Sequence, residues 1–196
     1  MLNHENLLIL QLIMIIASQK KKENIAEYLL YMWQIEDIIR ANALDIDKIQ
    51  TNIIDRYSNL DVKEQKDMRE WYESLIDMMR REGVVQSGHI QLNKNVILSL
   101  NDLHNRLMQD SRFVSYNSEF YKVLPYIVEL RSKQGDEKYG EIESCFNALY
   151  GILMLRLQGK EISKETLSAA GEISRFLALL SSKYKKDYEN QLFREE

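Results

Sequence analysis

ENIAEYLLYMWQIEDIIRAN, residues 23–42, is the stretch whose reading decides the fold. Wound at 3.6 residues per turn, it gathers Ile25, Leu29, Met32, Trp33 and Ile39 into one broad sector, which Tyr28, Tyr31, Ile35 and Ile38 widen. Only Glu27 and Gln34 mark a narrow strip for water. A helix that is apolar on nearly every side must be packed on several sides, so the segment is expected to be the central helix of a bundle. Glu36 and Arg40 break the pattern: they project into the apolar sector one turn apart, with Asp37 on the flank. The acid precedes the base by four residues, the better order for a helical ion pair. Charges so placed are tolerated only when paired and hydrogen-bonded.

Composition agrees with a helical bundle. One proline and seven glycines in 196 residues are too few for the frequent tight turns of an all-β fold. Hydrophobic residues at 45% and charged residues at 29% exclude a disordered chain and leave enough apolar mass for a sizeable core. The net charge of −4, with both signs mixed along the chain, argues against broad nucleic-acid binding, which needs a clustered positive surface. A lone cysteine, Cys145, forbids an internal disulfide and suits a reducing compartment. Leu7–Ile16 (LLILQLIMII) is too short to span a bilayer, and the lysines lie behind it at Lys20–Lys22 rather than ahead. The expected organisation is a peripheral extension over 1–16, with Met14 an equally good natural start, a single all-α domain over 17–189, and a charged tail over 190–196. No membrane association is expected, and the cytoplasm is the expected compartment.

Six or seven helices follow from the periodicity. The central one is expected from near Ser18 to Asn42. Asp45 offers an N-cap for a second helix to about Tyr57, with Ile46, Ile49, Ile53, Ile54 and Tyr57 as its stripe. Asp61 with Glu64 resembles a capping box, opening a third helix whose face carries Met68, Trp71, Tyr72, Leu75, Ile76 and Met79 and which Gly83 closes. Val84–Leu92 lacks helical period. A fourth helix spans about Asn93–Gln109, and a fifth, about Asn117–Gln134, should kink or break at Pro125. The sixth, about Glu141–Gln158, is again apolar nearly all round and is expected to be a second central helix. Ser163 caps the last, which runs to about Tyr188. Its line of small residues, Ala170, Gly171, Ser174, Ala178 and Ser181, suits either close intramolecular packing or a dimer seam.

The inward charges are the one constellation with functional content. Arg131 falls among Phe120, Leu124 and Ile127, and Arg156 among Cys145, Leu149 and Ile152. If these helices adjoin the central one, Arg40, Arg131 and Arg156 meet Glu36 and Asp37 in a partly buried site. Either that site is a closed network fixing helix register, or a surplus guanidinium grips a small carboxylate or phosphate. Other chemistry is thin. His104 sits in an apolar sector and reads as a hydrogen-bonded core residue, and Cys145 as inert packing. His4, His89 and His104 lack zinc spacing, and no Glu-x-x-His signature of di-iron bundles occurs. Glu70, Glu73 and Asp77 share a face opposite the apolar stripe and alternate with arginines, which makes a solvated face. Neither a Gly-x-Ser-x-Gly elbow nor a phosphate-binding Gly-x-x-x-x-Gly-Lys-[Ser/Thr] loop is present. No cofactor, metal or catalytic residue is expected. The expectation is a non-enzymatic interaction or scaffold protein with a homo-oligomeric or other protein partner. The alternative is an anionic-ligand or catalytic site at the inward arginines and acids.

The segments KKKENIAEYLLYMWQIEDIIRAN, WYESLIDMMRREG, LPYIVELR and CFNALYGILMLRLQGKEISKETL resemble an uncharacterised helical family of Bacteroidetes-type bacteria, a domain of unknown function. The likeness covers about Ile15–Glu189. It implies an all-α cytoplasmic protein and supplies no activity, ligand or catalytic residue.

Overall fold

The computed structural model describes residues 23–57, 61–132 and 139–193. The Leu7–Ile16 stretch, the extension over 1–16, and the last residues of the expected tail, 194–196, lie outside the described residues. Those residues form seven α-helices and two short 3-10 turns, with no strand among them. The protein is all-α, and it divides into two compact units, Met1–Asn95 and Val96–Glu196.

In the first unit α1 (Ile25–Ala41) starts later than the expected position near Ser18. Asn24 stops it by taking an extended backbone and accepting from the Ala26 and Glu27 N–H groups at 3.2 and 3.3 Å. From there the helix is buried on nearly every side. Ile25, Tyr28, Leu29, Met32, Trp33, Ile35 and Ile39 are all covered, with Trp33 at 1% exposure and Ile39 at 0%. The turn after α1 carries two consecutive left-handed residues that are not glycine, Ala43 and Leu44, at φ of 57° and 56°. Each left-handed residue costs roughly 1–2 kcal/mol. Burial of the Leu44 side chain offsets a comparable amount, and its carbonyl accepts from Arg80 Nη2 at 3.0 Å.

α2 (Ile46–Asn52) is capped by Asp45 as expected, but it breaks at Ile53 and continues as the 3-10 turn Ile54–Arg56. Of its expected stripe Ile49 and Ile54 are fully buried, whereas Tyr57 is exposed. α3 (Val62–Arg81) opens on a reciprocal capping box: Asp61 accepts from the Glu64 N–H, and Glu64 accepts from the Asp61 N–H, both at 2.8 Å. Met68, Tyr72, Leu75, Ile76 and Met79 form its buried face. Glu70, Glu73 and Asp77 are solvated and paired with Lys66, Arg69 and Arg81. Gly83, at φ 70°, turns the chain out of α3.

α4 (Gln91–Gln109) crosses the boundary between the units. In the second unit it buries Val96, Ile97, Leu100, Leu103 and Leu107. A 3-10 turn, Ser111–Phe113, leads to α5 (Val114–Ser132), then α6 (Glu141–Leu157) and α7 (Lys164–Tyr188), and these three helices pack on one another. The expected break at Pro125 does not occur; the helix runs through it. Pro125 and Tyr121, the residue four before it whose carbonyl loses its partner, are both on the exposed face, where the loss is cheapest.

α6 corrects a second expectation. Its first half is core, with Ile142, Ser144, Cys145 and Phe146 buried. Its second half, though equally apolar, is not a central element: no residue from 147 to 157 is buried, and Leu157 is 69% exposed. Among the described residues, no helix is long and apolar enough to cross a membrane.

Candidate functional site

The site grows from the two charges on α1. Glu36 is 1% exposed, so its carboxylate needs full compensation. Three donors supply it, all from the segment where α4 begins. His89 Nδ1 lies 2.5 Å from Oε2, and the Ile90 N–H and Asn93 Nδ2 reach Oε1 at 2.9 and 2.8 Å. An ionised carboxylate only accepts, so this contact places the proton of the imidazole on Nδ1. The His89 ring also stacks on Trp33, with centroids 4.1 Å apart and planes within 9°. Glu36 thus ties the aperiodic Val84–Ile90 segment and the first turn of α4 to α1.

Arg40 serves the same segment from one turn further along. Its Nη1 donates to Asp37 at 2.8 Å, and its Nη2 donates to the Val84 carbonyl at 3.1 Å and to the Gly88 carbonyl. The expected Glu36–Arg40 pair is therefore replaced by two separate contacts, Glu36 with His89 and Arg40 with Asp37. Carbonyls outside a helix lack ladder partners, and the guanidinium serves two of them at once, the part-buried one of Val84 and the exposed one of Gly88. Its Nε and the Asn93 Oδ1 are buried without a hydrogen bond.

The other two arginines are placed differently from expectation. Arg131 and Arg156 are exposed, in the last turns of α5 and α6. Each continues a line of apolar residues, buried at Phe120, Ile127 and Cys145, past the point where its helix leaves the core, and a long cationic side chain there extends to water. Neither has an ion-pair partner among the described residues. The Arg40 replacement can be sized accordingly. Asp37 is 45% exposed and does not strand in the interior, so the loss is that of the two carbonyl contacts. Arg40→Ala is expected to lower stability by about 1–3 kcal/mol, read as a fall in the urea midpoint. An unchanged midpoint would remove Arg40 from the framework.

Sequence reasoning missed His89. It lies 53 residues from Glu36, in a segment without period, and the Gly88-His89 pair carries no local signal of its partner. Chemically, Glu36 and His89 form an oriented carboxylate–imidazole pair, with the Nδ1 side of the ring turned to the carboxylate.

A second buried imidazole lies in the other unit. His104 is 4% exposed, its Nδ1 is 2.7 Å from the Tyr116 hydroxyl, and Phe120 and Phe176 meet its ring edge to face. Burial holds its pKa down to about 4. Its Nε2 is 3.8 Å from Glu141, so at neutral pH this is a neutral ring facing a carboxylate, not an ion pair. Burial, with Glu141 adding to it, pushes the Cys145 thiol up to about 12, which leaves it unreactive. The described residues hold no cluster of three or more His, Cys, Asp or Glu suited to a metal.

No curated protein and no solved structure matches the chain. One family does: residues 14–191 match a domain of unknown function, DUF4924.

Proposed function

The chain belongs to the DUF4924 family, and from that premise and the geometry above we propose that it is a non-enzymatic protein of the bacterial cytoplasm that works by binding another protein through the second half of α6. One observation carries this reading. Ile152-Leu153-Met154-Leu155 offers apolar side chains around the whole helix, yet its own chain leaves all four only half-buried, and Leu157 beyond them is exposed. A helix of that kind is stable in water only when something covers it. The inward charges support the same reading in a different way: Glu36 and Arg40 spend their hydrogen bonds on this chain's own backbone and side chains, which makes them framework. The anionic-ligand alternative has less behind it, since the Arg40 Nη atoms are committed and Arg131 and Arg156 are exposed at the ends of their helices.

A benzophenone side chain at position 153, irradiated in cells, is expected to give a covalent adduct with a protein. The same group at position 73, on the solvated face of α3, is expected to give none. Equal silence at both positions would remove the interaction reading.

A further inference from the structure

We propose that the groove between α5, α6 and α7 receives the side chain of a lysine carried by the protein partner. This inference rests on the interaction reading and names the kind of residue that anchors the partner.

The groove is built at helical period on three helices that pack on one another. α5 lines it with Tyr126 and Glu129, α6 with Ala148 and Ile152, and α7 with Glu165, Ala169 and Ile173, each set three or four residues apart. Ala148 and Ala169 end at Cβ, which leaves a depression between their larger neighbours. Its volume is about 220 Å³. A site for a whole small molecule usually holds about 300 Å³ or more, so this one suits a single side chain. Ile152 belongs both to the groove and to the apolar half of α6. A partner lying on that half therefore reaches the groove directly.

Charge says which side chain it takes. Among the described residues that line the groove there is no lysine, arginine or histidine, whereas Glu129 and Glu165 are both present and exposed. Neutral donors, its own N–H and the Ser163 hydroxyl, bond Glu165 and hold its carboxyl below the usual range, so it stays ionised. A lysine matches both parts of this lining. Its alkyl stem lies on alanine and isoleucine, and its ammonium, with three donors, meets the carboxylates. An acidic side chain is repelled there, and an apolar one strips water from two charges without replacing it.

Titrating Nα-acetyl-lysine N-methylamide into the full chain, with the isoleucine methyl groups observed by NMR, tests this. The Ile152 and Ile173 methyls are expected to shift and saturate, while those of Ile49 and Ile54, buried in the other unit, stay in place. The norleucine counterpart has the same stem without the ammonium and is expected to bind at least about threefold more weakly. The lysine probe is expected to lose at least about the same factor against the double variant Glu129→Gln, Glu165→Gln. Both side chains are exposed, so the thermal melt of that variant should match the wild type. Ala169→Leu fills the groove and is expected to abolish the shifts; Ala148→Leu fills it from α6 if the first variant does not fold. In cells, the adduct at position 153 is expected to diminish in the double variant. The proposal is overturned by a probe that gives no saturating shift at Ile152 and Ile173, by a norleucine probe that binds as well, or by an undiminished adduct in the double variant. If the probe fails while position 153 keeps its adduct, the lysine is wrong and the interaction reading stands. If the probe binds but position 153 gives no adduct, no protein partner delivers a lysine and both readings fall.

Discussion

Glu36→Ala is expected to lower the stability of the protein by about 3–5 kcal/mol, the largest effect of any single polar substitution here. The carboxylate is almost sealed from solvent, and its removal leaves the Ile90 N–H, Asn93 Nδ2 and His89 Nδ1 without their acceptor. Hydrogen bonds to a charged group are worth about 1.5–3 kcal/mol each, but three losses at one point do not add in full, because the Val84–Ile90 segment can move to recover some of them. Glu36→Gln keeps one acceptor oxygen in the same shape and should cost less. Urea denaturation followed by circular dichroism reads both. A midpoint for the alanine variant within error of the wild type would show that the three donors find other partners, and the account of how this segment is held would fail.

The second large effect is pH-dependent and belongs to His104. Its folded pKa, about 4, is below the ordinary 6.5 because burial disfavours the charged ring. Between those two values the unfolded chain binds a proton that the folded chain does not, so lowering pH favours unfolding. The stability associated with the neutral ring is fully present above about pH 6.5 and is lost progressively as pH falls to about 4. The span corresponds to about 3 kcal/mol, since one pKa unit is worth 1.36 kcal/mol. Two other titratable groups face the ring, the Tyr116 hydroxyl and the Glu141 carboxylate. Tyrosine stays neutral across this window, and a carboxylate 3.8 Å away opposes the shift without cancelling it. Other carboxylates titrate at the lower edge, so the useful quantity is the difference between wild type and His104→Gln measured from pH 7 to 4. That difference should shrink as the pH falls. A constant difference would mean that the imidazole is charged inside the fold.

Much of the architecture was legible because helical period is a local property. The wall-to-wall apolar pattern of 25–39 correctly implies burial, and the Asp45 and Asp61 caps sit where their side chains say they should. The start of α1 was misplaced because the polar run from Ser18 to Glu23 can itself be helical, and only the cap geometry at Asn24 shows that this helix begins there. At Pro125 the sequence reveals the missing N–H but not which side of the helix faces water, and the exposed side makes the loss cheap. The site was half legible. A buried Glu36 follows from its place among Trp33, Ile35 and Ile39, but its partner comes from a segment with no period, and loop-to-helix contacts of that span leave no trace in spacing. Arg131 and Arg156 show the opposite error: a line drawn through apolar residues was continued to helix ends where the core had stopped.

The burial of Cys145 has one further consequence. It is the sole sulfhydryl of the chain, fully enclosed and held protonated, so an alkylating reagent reaches it only when the packing around α5, α6 and α7 comes apart. The molecule therefore carries its own chronometer of breathing motions, readable by mass without any introduced label.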